Sequence, residues 1–516
     1  MELTVFGILV IVTGMVALYT SHSGVVYGMA VYSLFGCALA LGLGGIGILP
    51  PQLFLAFFVL KAFQMGGGKK INEAFSMDQP GFWLLCNCVW ASVGAMLLPR
   101  LLLGTTLVFP VDRSTTEILL KPLAPVSGNL SQAVYCIGDV LVYCCMYAFL
   151  KWRGTYRTLA NALLLLTLLD VVAGVLDAVS HIAGMDILSS VKTAQFADLS
   201  GEELGGLVRI SGTFSETSAF STFTLPLFVF CLNLWLVGWR QKLAGALAIA
   251  TGILMLLSTS GSAYVGMAGY LVVLVFSRPG LVTRDAAARK QRMWLISACL
   301  GMLGVIYVML FLPAVVTTIG DFVDAAILSK AGSSSGVERM GWNNQGITNF
   351  FDTYGIGVGL GSIRASSFLV VLLGSLGVVG VVCYGIFVGK SLLSPMPTHY
   401  SFTERAICYA SRHAMIAALI VASTSAGVFE LGSCFYLFAA AAGALSPLAS
   451  TGVSRRQTRV ASAAYVWPSH NAEPVMHAEA ANVETVNVEN VEVVMEPRRG
   501  RKRSVEEKLA RVRRTF

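Results

Sequence analysis

Residues 333–380 read SSSGVERMGWNNQGITNFFDTYGIGVGLGSIRASSFLVVLLGSLGVVG. A polar, Arg-bearing segment passes into a Gly-rich one and then directly into an apolar run long enough for a membrane helix. The polar part keeps Arg339 and Arg364 close to a bilayer surface, where charge is expensive to hold. Arginines retained in such a place point to an anionic ligand, and so to a site.

The same alternation extends outward over the whole chain. Its 516 residues have a mean hydropathy of +0.72, with 55% hydrophobic and 12% charged residues. Apolar runs of about 17–22 residues recur, the length that crosses a hydrocarbon core of roughly 30 Å. The ten-residue alternating segments of a membrane barrel are absent. The expected fold is all-α, a polytopic transmembrane helical bundle. Its spans are expected at 2–20, 25–45, 47–63, 82–103, 131–150, 159–177, 218–238, 243–257, 263–277, 293–312, 367–388, 407–427 and 432–448, about thirteen in all. The first run follows Glu2 without a basic n-region, so a retained helix is expected there and not a cleaved signal peptide.

Orientation follows from the basic residues. Lys69/Lys70, Lys151/Arg153/Arg157, Arg240/Lys242, the group from Arg278 to Arg292, and Lys390/Arg405 fall on alternate loops, which the positive-inside rule places in the cytoplasm together with the C-terminus. The large loops 104–130, 178–217 and 313–366 then lie on the non-cytoplasmic side. Arg209, Arg339 and Arg364 sit in those loops against the trend. Either each pairs with a nearby carboxylate or they serve a ligand.

Eleven cysteines fall in or at the ends of the spans, where they act as small apolar residues. Neither a disulfide framework nor a metal site is expected. Residues 1–450 make the membrane unit. Residues 451–497 read as a disordered linker rich in Ala, Val, Asn and Glu. The tail 498–516 holds nine Lys/Arg against Glu506 and Glu507, so it carries most of the chain's net charge of +8. On the cytoplasmic face its expected partner is the anionic headgroups of membrane lipids, in preference to nucleic acid.

The loops carry the chemistry. Ser335-Gly-Val-Glu338 fits a capping box, predicting a helix from about Gly336 to Asp352, with Gly355 beyond its end. Glu338 therefore has a capping reading that competes with a catalytic one. Gly355, Gly357, Gly359 and Gly361 leave the backbone bare on the way to Arg364. Such a run either cradles phosphate with exposed amides or makes a tight turn into the next span; no Gly-Lys-Ser/Thr follows, so it is not an ATP loop. A second constellation, Arg209-Ile-Ser-Gly-Thr-Phe-Ser-Glu216, again sets an arginine, a Gly turn and a carboxylate at a helix entrance. A third element is the Ser/Thr-rich turn Ser258–Ser262.

In these three places the chain resembles the O-antigen ligase and polysaccharide polymerase superfamily of bacterial envelope proteins. The likeness consists of an Arg-x-x-Gly-x-Phe segment entering a span (Arg209 to Phe214), a Ser/Thr turn after the next helix, and an Arg-x-x-Trp helix (Arg339, Trp342) followed by a Gly-Val-Gly run. It covers residues 205–390; elsewhere only the hydropathy profile is shared. Ligases of this family carry a His-Asn pair after the Gly-rich segment, where this chain has Arg364-Ala-Ser-Ser367, which is more like the polymerase branch. The resemblance implies a metal-independent glycosyltransferase of the bacterial inner membrane. It would polymerise repeat units of a polyprenyl-pyrophosphate-linked glycan, in partnership with a chain-length regulator and a flippase of the same pathway. The acceptor hydroxyl attacks the anomeric carbon, and the departing pyrophosphate needs arginine forks, for which Arg209, Arg339 and Arg364 are the candidates. Glu216 or Glu338 would serve as the base. The scheme needs no cofactor, nucleotide or metal.

Ligation remains an alternative, as does transport. Asp170, Gly174, Asp177 and His181 share one face of the span 159–177 and its outward extension, and Asp139 could join them as an intramembrane proton relay. No inverted repeat of interrupted helices accompanies them.

Overall fold

A computed structural model of the chain describes residues 2–43, 46–111, 119–184, 187–194, 203–204, 207–311 and 334–445. The linker and the basic tail read at 451–497 and 498–516 lie outside the described residues. Those residues form fifteen α-helices: α1 (Val5–Tyr19), α2 (His22–Tyr32), α3 (Pro50–Gln64), α4 (Gly68–Ala74), α5 (Pro80–Leu101), α6 (Ser127–Leu150), α7 (Thr155–Ala183), α8 (Thr217–Val237), α9 (Gln241–Leu257), α10 (Gly261–Phe276), α11 (Arg284–Phe311), α12 (Ser334–Asp352), α13 (Phe368–Leu393), α14 (Phe402–Ala422) and α15 (Ser433–Gly443). Seven of them, α5, α6, α7, α8, α11, α13 and α14, are long and apolar enough to cross a membrane. Shorter apolar helices are α1, α9, α10 and α15. The fold is all-α, and its long apolar helices are those of a membrane protein.

Local sequence sets the helix ends. Prolines open α3 and α5 in the first turn, where a missing amide costs nothing. Glycines in the left-handed region close α7 (Gly184, φ +66°) and α8 (Gly238, φ +88°). Helix α8 packs against α9 and α14, α5 against α6 and α13, and α15 against α6 and α14. Helix α11 is different: Leu295, Ile296, Leu300, Leu303 and Ile306 are all exposed, so its membrane stretch is apolar all round.

One end of the bundle is tied by cations on helix carbonyls. Lys61 Nζ donates to Leu18 O and Thr20 O (2.7 and 2.6 Å), Lys151 Nζ to Ala444 O (3.1 Å), Arg289 Nε to Leu236 O (2.8 Å), and Lys290 Nζ to Val275 O and Ser277 O (2.9 and 2.7 Å). The carbonyl ends of α1, α8 and α10 thus receive the positive charge that their dipoles favour.

The other end is a cap of non-helical backbone, and here the structure corrects the sequence. The span expected at 25–45 is the eleven-residue α2 followed by irregular backbone and a strand. Strands β1 (Glu2–Leu3), β2 (Leu41–Leu43) and β3 (Ile46–Ile48) form a small antiparallel sheet in that order. The carbonyls of the intervening segment are taken by distant residues: Thr213 Oγ1 donates to Leu34 O (2.8 Å) and Ala194 N to Cys37 O (2.9 Å). A continuous helix would need those carbonyls for itself. The span expected at 432–448 is likewise the short α15, whose eleven residues rise about 16 Å, half of a hydrocarbon core. Helix α7 runs six residues into the loop placed at 178–217, and α14 ends five residues before the expected boundary at 427.

Candidate functional site

The Gly-rich run is joined to a broken helix. At Gly377 (φ +61°, ψ −159°) α13 loses helical geometry. The carbonyls freed there accept from the loop: Val358 N donates to Gly374 O and Gly359 N to Ser375 O, both at 2.9 Å, while Val378 N donates to Gly355 O (2.9 Å). Gly355 N and Tyr354 N close the end of α12 on Phe350 O and Phe351 O (2.8 and 3.0 Å), a Schellman pattern with Tyr354 in the left-handed position that glycine usually takes. Gly357 N is held by Thr353 Oγ1 (3.0 Å). These amides serve the fold. Of the two readings of the glycine run, the phosphate cradle of exposed amides gives way to the turn that feeds a span. Non-helical backbone at such depth is tolerated because its polar groups are satisfied within the protein.

Helix α12 begins at Ser334, so Ser335 lies inside its first turn; the Ser335 side chain, and with it the proposed capping box, lies outside the described residues. The helix ends at Asp352, as the sequence predicts. It is docked through its polar side chains. Asn349 Nδ2 donates to Leu107 O and Thr106 Oγ1 (2.6 and 2.9 Å), Thr106 Oγ1 to Asp352 Oδ2 (2.5 Å), and Gln345 Nε2 to Leu107 O (2.7 Å). Leu107 belongs to β4 (Leu107–Val108), which pairs with β5 (Lys121–Pro122). At the foot of the loop, Asn343 Oδ1 accepts from Ser366 N (2.8 Å) and Phe109 O from Arg364 N (2.8 Å). The buried Asn129 at the start of α6 donates to Leu360 O and Ser362 Oγ (2.8 and 2.9 Å). Arg364 is therefore fixed from both sides by backbone and amide contacts.

Its side chain is the centre of the candidate site. The guanidinium is largely buried, its carbon lies 5.7 Å from the centre of the Trp342 ring, and its Nε has no hydrogen-bond partner. Burial lowers its pKa from the ordinary arginine value, and the carboxylates of Glu216 and Glu338 oppose that shift. Glu216 comes from the start of α8, where the Ser218 hydroxyl donates to it, and Glu338 from the first turns of α12. Charge from the two separated loops thus acts on one arginine. No ion pair within 4.0 Å forms between Arg364 and either carboxylate, so the guanidinium is attracted without being locked.

Of the other arginines, Arg339 is half-buried on α12, one turn before Asn343 and on the same face. Arg209 is half-buried elsewhere at this end, where its charge acts on Tyr264 at the beginning of α10. There the Ser258–Ser262 turn holds Thr259 at φ +52°, an uncommon backbone for a β-branched residue, with its buried hydroxyl unpartnered. The sequence named these residues but grouped Arg209 with Glu216; in the structure the charge of Glu216 acts on Arg364 together with that of Glu338, and Arg209 acts on Tyr264 beside the Ser/Thr turn. The sequence did not locate Asn129, Asn343 or Tyr264, because a single buried amide or phenol has no pattern to read.

The acidic stripe on α7 turns out to be a tie. Asp177 Oδ2 accepts from Ser211 N (2.7 Å), Gly212 N (3.0 Å) and Ser211 Oγ (3.3 Å). Its Oδ1 faces Lys192 Nζ (3.6 Å) and His181 Nε2 (3.7 Å). About two turns back, Asp170 Oδ2 accepts from Thr224 Oγ1 (2.9 Å) and links α7 to α8. The stripe positions the 209–216 loop. No family model matches the chain, and neither a curated protein nor a solved structure matches it.

Proposed function

We propose that the protein is a membrane glycosyltransferase that polymerises polyprenyl-pyrophosphate-linked oligosaccharide repeat units, with Arg364 holding the pyrophosphate. The observation that carries the reading is the half-buried Arg364 side chain, its guanidinium carbon 5.7 Å from the centre of the Trp342 ring, acted on by carboxylates from two loops and left with a buried, unpartnered Nε. A permanently charged fork so placed suits a group on which negative charge develops as it leaves. Arg339 and Arg209 would complete the cationic surroundings at the same end of the bundle. Glu216, half-buried and near the fork, is the better-placed base for the acceptor hydroxyl; Glu338 is exposed. The chain would lie in a bacterial inner membrane as a multi-pass protein with its C-terminus in the cytoplasm, an orientation supported by the cations gathered at the end opposite Arg364. Membrane lipids, a chain-length regulator and a flippase are the partners this reading implies.

Ligation to a different acceptor uses the same leaving group, and the His-Asn pair that the resemblance associates with it is missing here. The transport reading loses its main support once Asp177 is engaged by the Ser211 and Gly212 amides and by Lys192. The test is transfer of repeat units from a lipid-linked donor by the purified protein. Arg364→Lys keeps the charge and loses the fork, and is expected to lower the rate by roughly 10²-fold. Full activity of Arg364→Ala at normal protein level would remove the proposed role. In cells, deletion is expected to abolish long chains while single repeat units are still formed.

A further inference from the structure

Helix α10 ends at Phe276 and α11 begins at Arg284, and the short connection between them carries a 3-10 turn at Pro279–Leu281. No Asp, Glu, Lys or Arg stands in the apolar stretches 261–276 and 294–311 on either side. Between those stretches five basic residues, Arg278, Arg284, Arg289, Lys290 and Arg292, are set against Asp285 alone. In a membrane protein such a junction lies where hydrocarbon gives way to headgroups, and the Trp294 indole stands at the boundary that Trp favours.

An open groove of about 650 Å³ is cut into this junction, a volume within the range of small-molecule pockets. Val275, Leu281 and Trp294 give it a mostly apolar lining, which Arg278, Lys290 and Gln291 interrupt. Val275 and Leu281 are exposed, as are Val272, Phe276 and Leu295 nearby, so the apolar wall continues onto the outer surface of α10 and α11. Arg278 is exposed and makes no ion pair with any described residue. Lys290 spends two of its three N–H groups on Val275 O and Ser277 O, which pins its charge in the wall and leaves one donor. One pinned cation, one guanidinium fork and an apolar wall open to the outer surface match a phosphodiester carried on acyl chains. A water-soluble anion would leave the wall uncovered, and an uncharged apolar ligand would leave the cations unanswered. A zwitterionic lipid brings its own ammonium into the same positive field, so a net anionic headgroup fits better.

We infer that this groove binds one anionic phospholipid, its phosphate on Arg278 and the remaining N–H of Lys290, its acyl chains along Val275, Leu281 and Trp294. The inference stands apart from the glycan-transfer reading, because its readout is lipid contact and not turnover. The test uses the full-length protein in phosphatidylcholine nanodiscs with a small fraction of phosphatidylglycerol, bromine being placed on the acyl chains of one lipid or the other. Bromine quenches an indole that it touches, and the Trp294 signal is the part of the emission that Trp294→Phe removes. Brominated phosphatidylglycerol should quench Trp294 several-fold more than an equal fraction of brominated phosphatidylcholine. Arg278→Ala should lower that preference about fivefold, the worth of one basic residue at an anionic surface. Ala287→Phe fills the groove while keeping every charge and should lower it as well. Arg278 and Ala287 are both exposed, so both variants are expected to fold. Arg284→Ala, which removes the same charge outside the groove, should leave the preference unchanged. The proposal is overturned if the two lipids quench equally, or if Arg278→Ala or Ala287→Phe keeps the full preference. It is overturned too if Arg284→Ala lowers the preference as much as Arg278→Ala, since the cause would then be general surface charge. Inorganic phosphate that relieves the quenching beyond chloride of equal ionic strength would show that the ligand is a free anion and not a lipid.

Discussion

A carboxylate near a membrane helix end reads as a proton carrier until its hydrogen bonds are traced, and Asp177 shows what decides between relay and tie. Its Oδ2 accepts two backbone amides and a hydroxyl, and its Oδ1 faces a lysine whose side chain is 4% exposed. Removing the charge leaves Lys192 buried beside a neutral amide, and breaking a buried pair in this way costs roughly 3–5 kcal/mol. Asp177→Asn should therefore lower the thermal unfolding midpoint of the detergent-solubilised protein markedly, and with it the order of the 209–216 loop. Unchanged stability with lost activity would return Asp177 to the list of working acids. Lys192 was invisible as a partner in the sequence because fifteen residues and a loop separate it from Asp177.

Among the elements, the join between the Gly-rich loop and α13 is the one whose chemistry sequence and structure share most closely. A Cβ on Gly361 (φ +81°) would stand 2.3 Å from Gly128 O, and one on Gly357 (φ +90°) 2.6 Å from Ser375 O; both neighbours are backbone and cannot rotate away. Gly361→Ala should destabilise the protein by at least about 1–2 kcal/mol from the left-handed backbone alone, with the clash added. Gly385, also on α13, has open space where its Cβ would be, so Gly385→Ala should be neutral or stabilising by up to about 1 kcal/mol. Equal melting temperatures for the two variants would show that the loop does not depend on close approach. The glycine spacing, the helix ending at Asp352 and the long spans were legible because each is a local pattern. The break at Gly377 and the short α2 and α15 were not. Hydropathy averages over a window and rates an apolar hairpin such as Leu41–Ile48 as highly as a helix. What divides them is which distant donor takes each carbonyl, as Thr213 does for Leu34.

For the molecule as a whole, charge is sorted by end. Lys61, Lys151, Arg289, Lys290 and Arg412 lie on helix carbonyls at the end away from Arg364, and Arg412 donates to Ala442 O (3.2 Å) near the close of α15. Those cations are already used, so they offer little to an anionic bilayer surface. The densest group of basic residues left for such contact is the nine Lys/Arg of 498–516, set against two Glu. At roughly 1 kcal/mol for each basic residue that reaches an anionic surface, less where they cannot reach it together, this segment should bind vesicles containing anionic lipid and release as salt rises. A peptide of 498–516 titrated against neutral and anionic vesicles at two salt concentrations measures both effects. Truncation before Arg498 should leave folding and repeat-unit transfer unchanged, since none of the candidate site's residues lies beyond Arg364. Equal binding to neutral and anionic vesicles, or transfer lost on truncation while protein level holds, would mean that the tail answers to a specific partner instead of to the lipid surface.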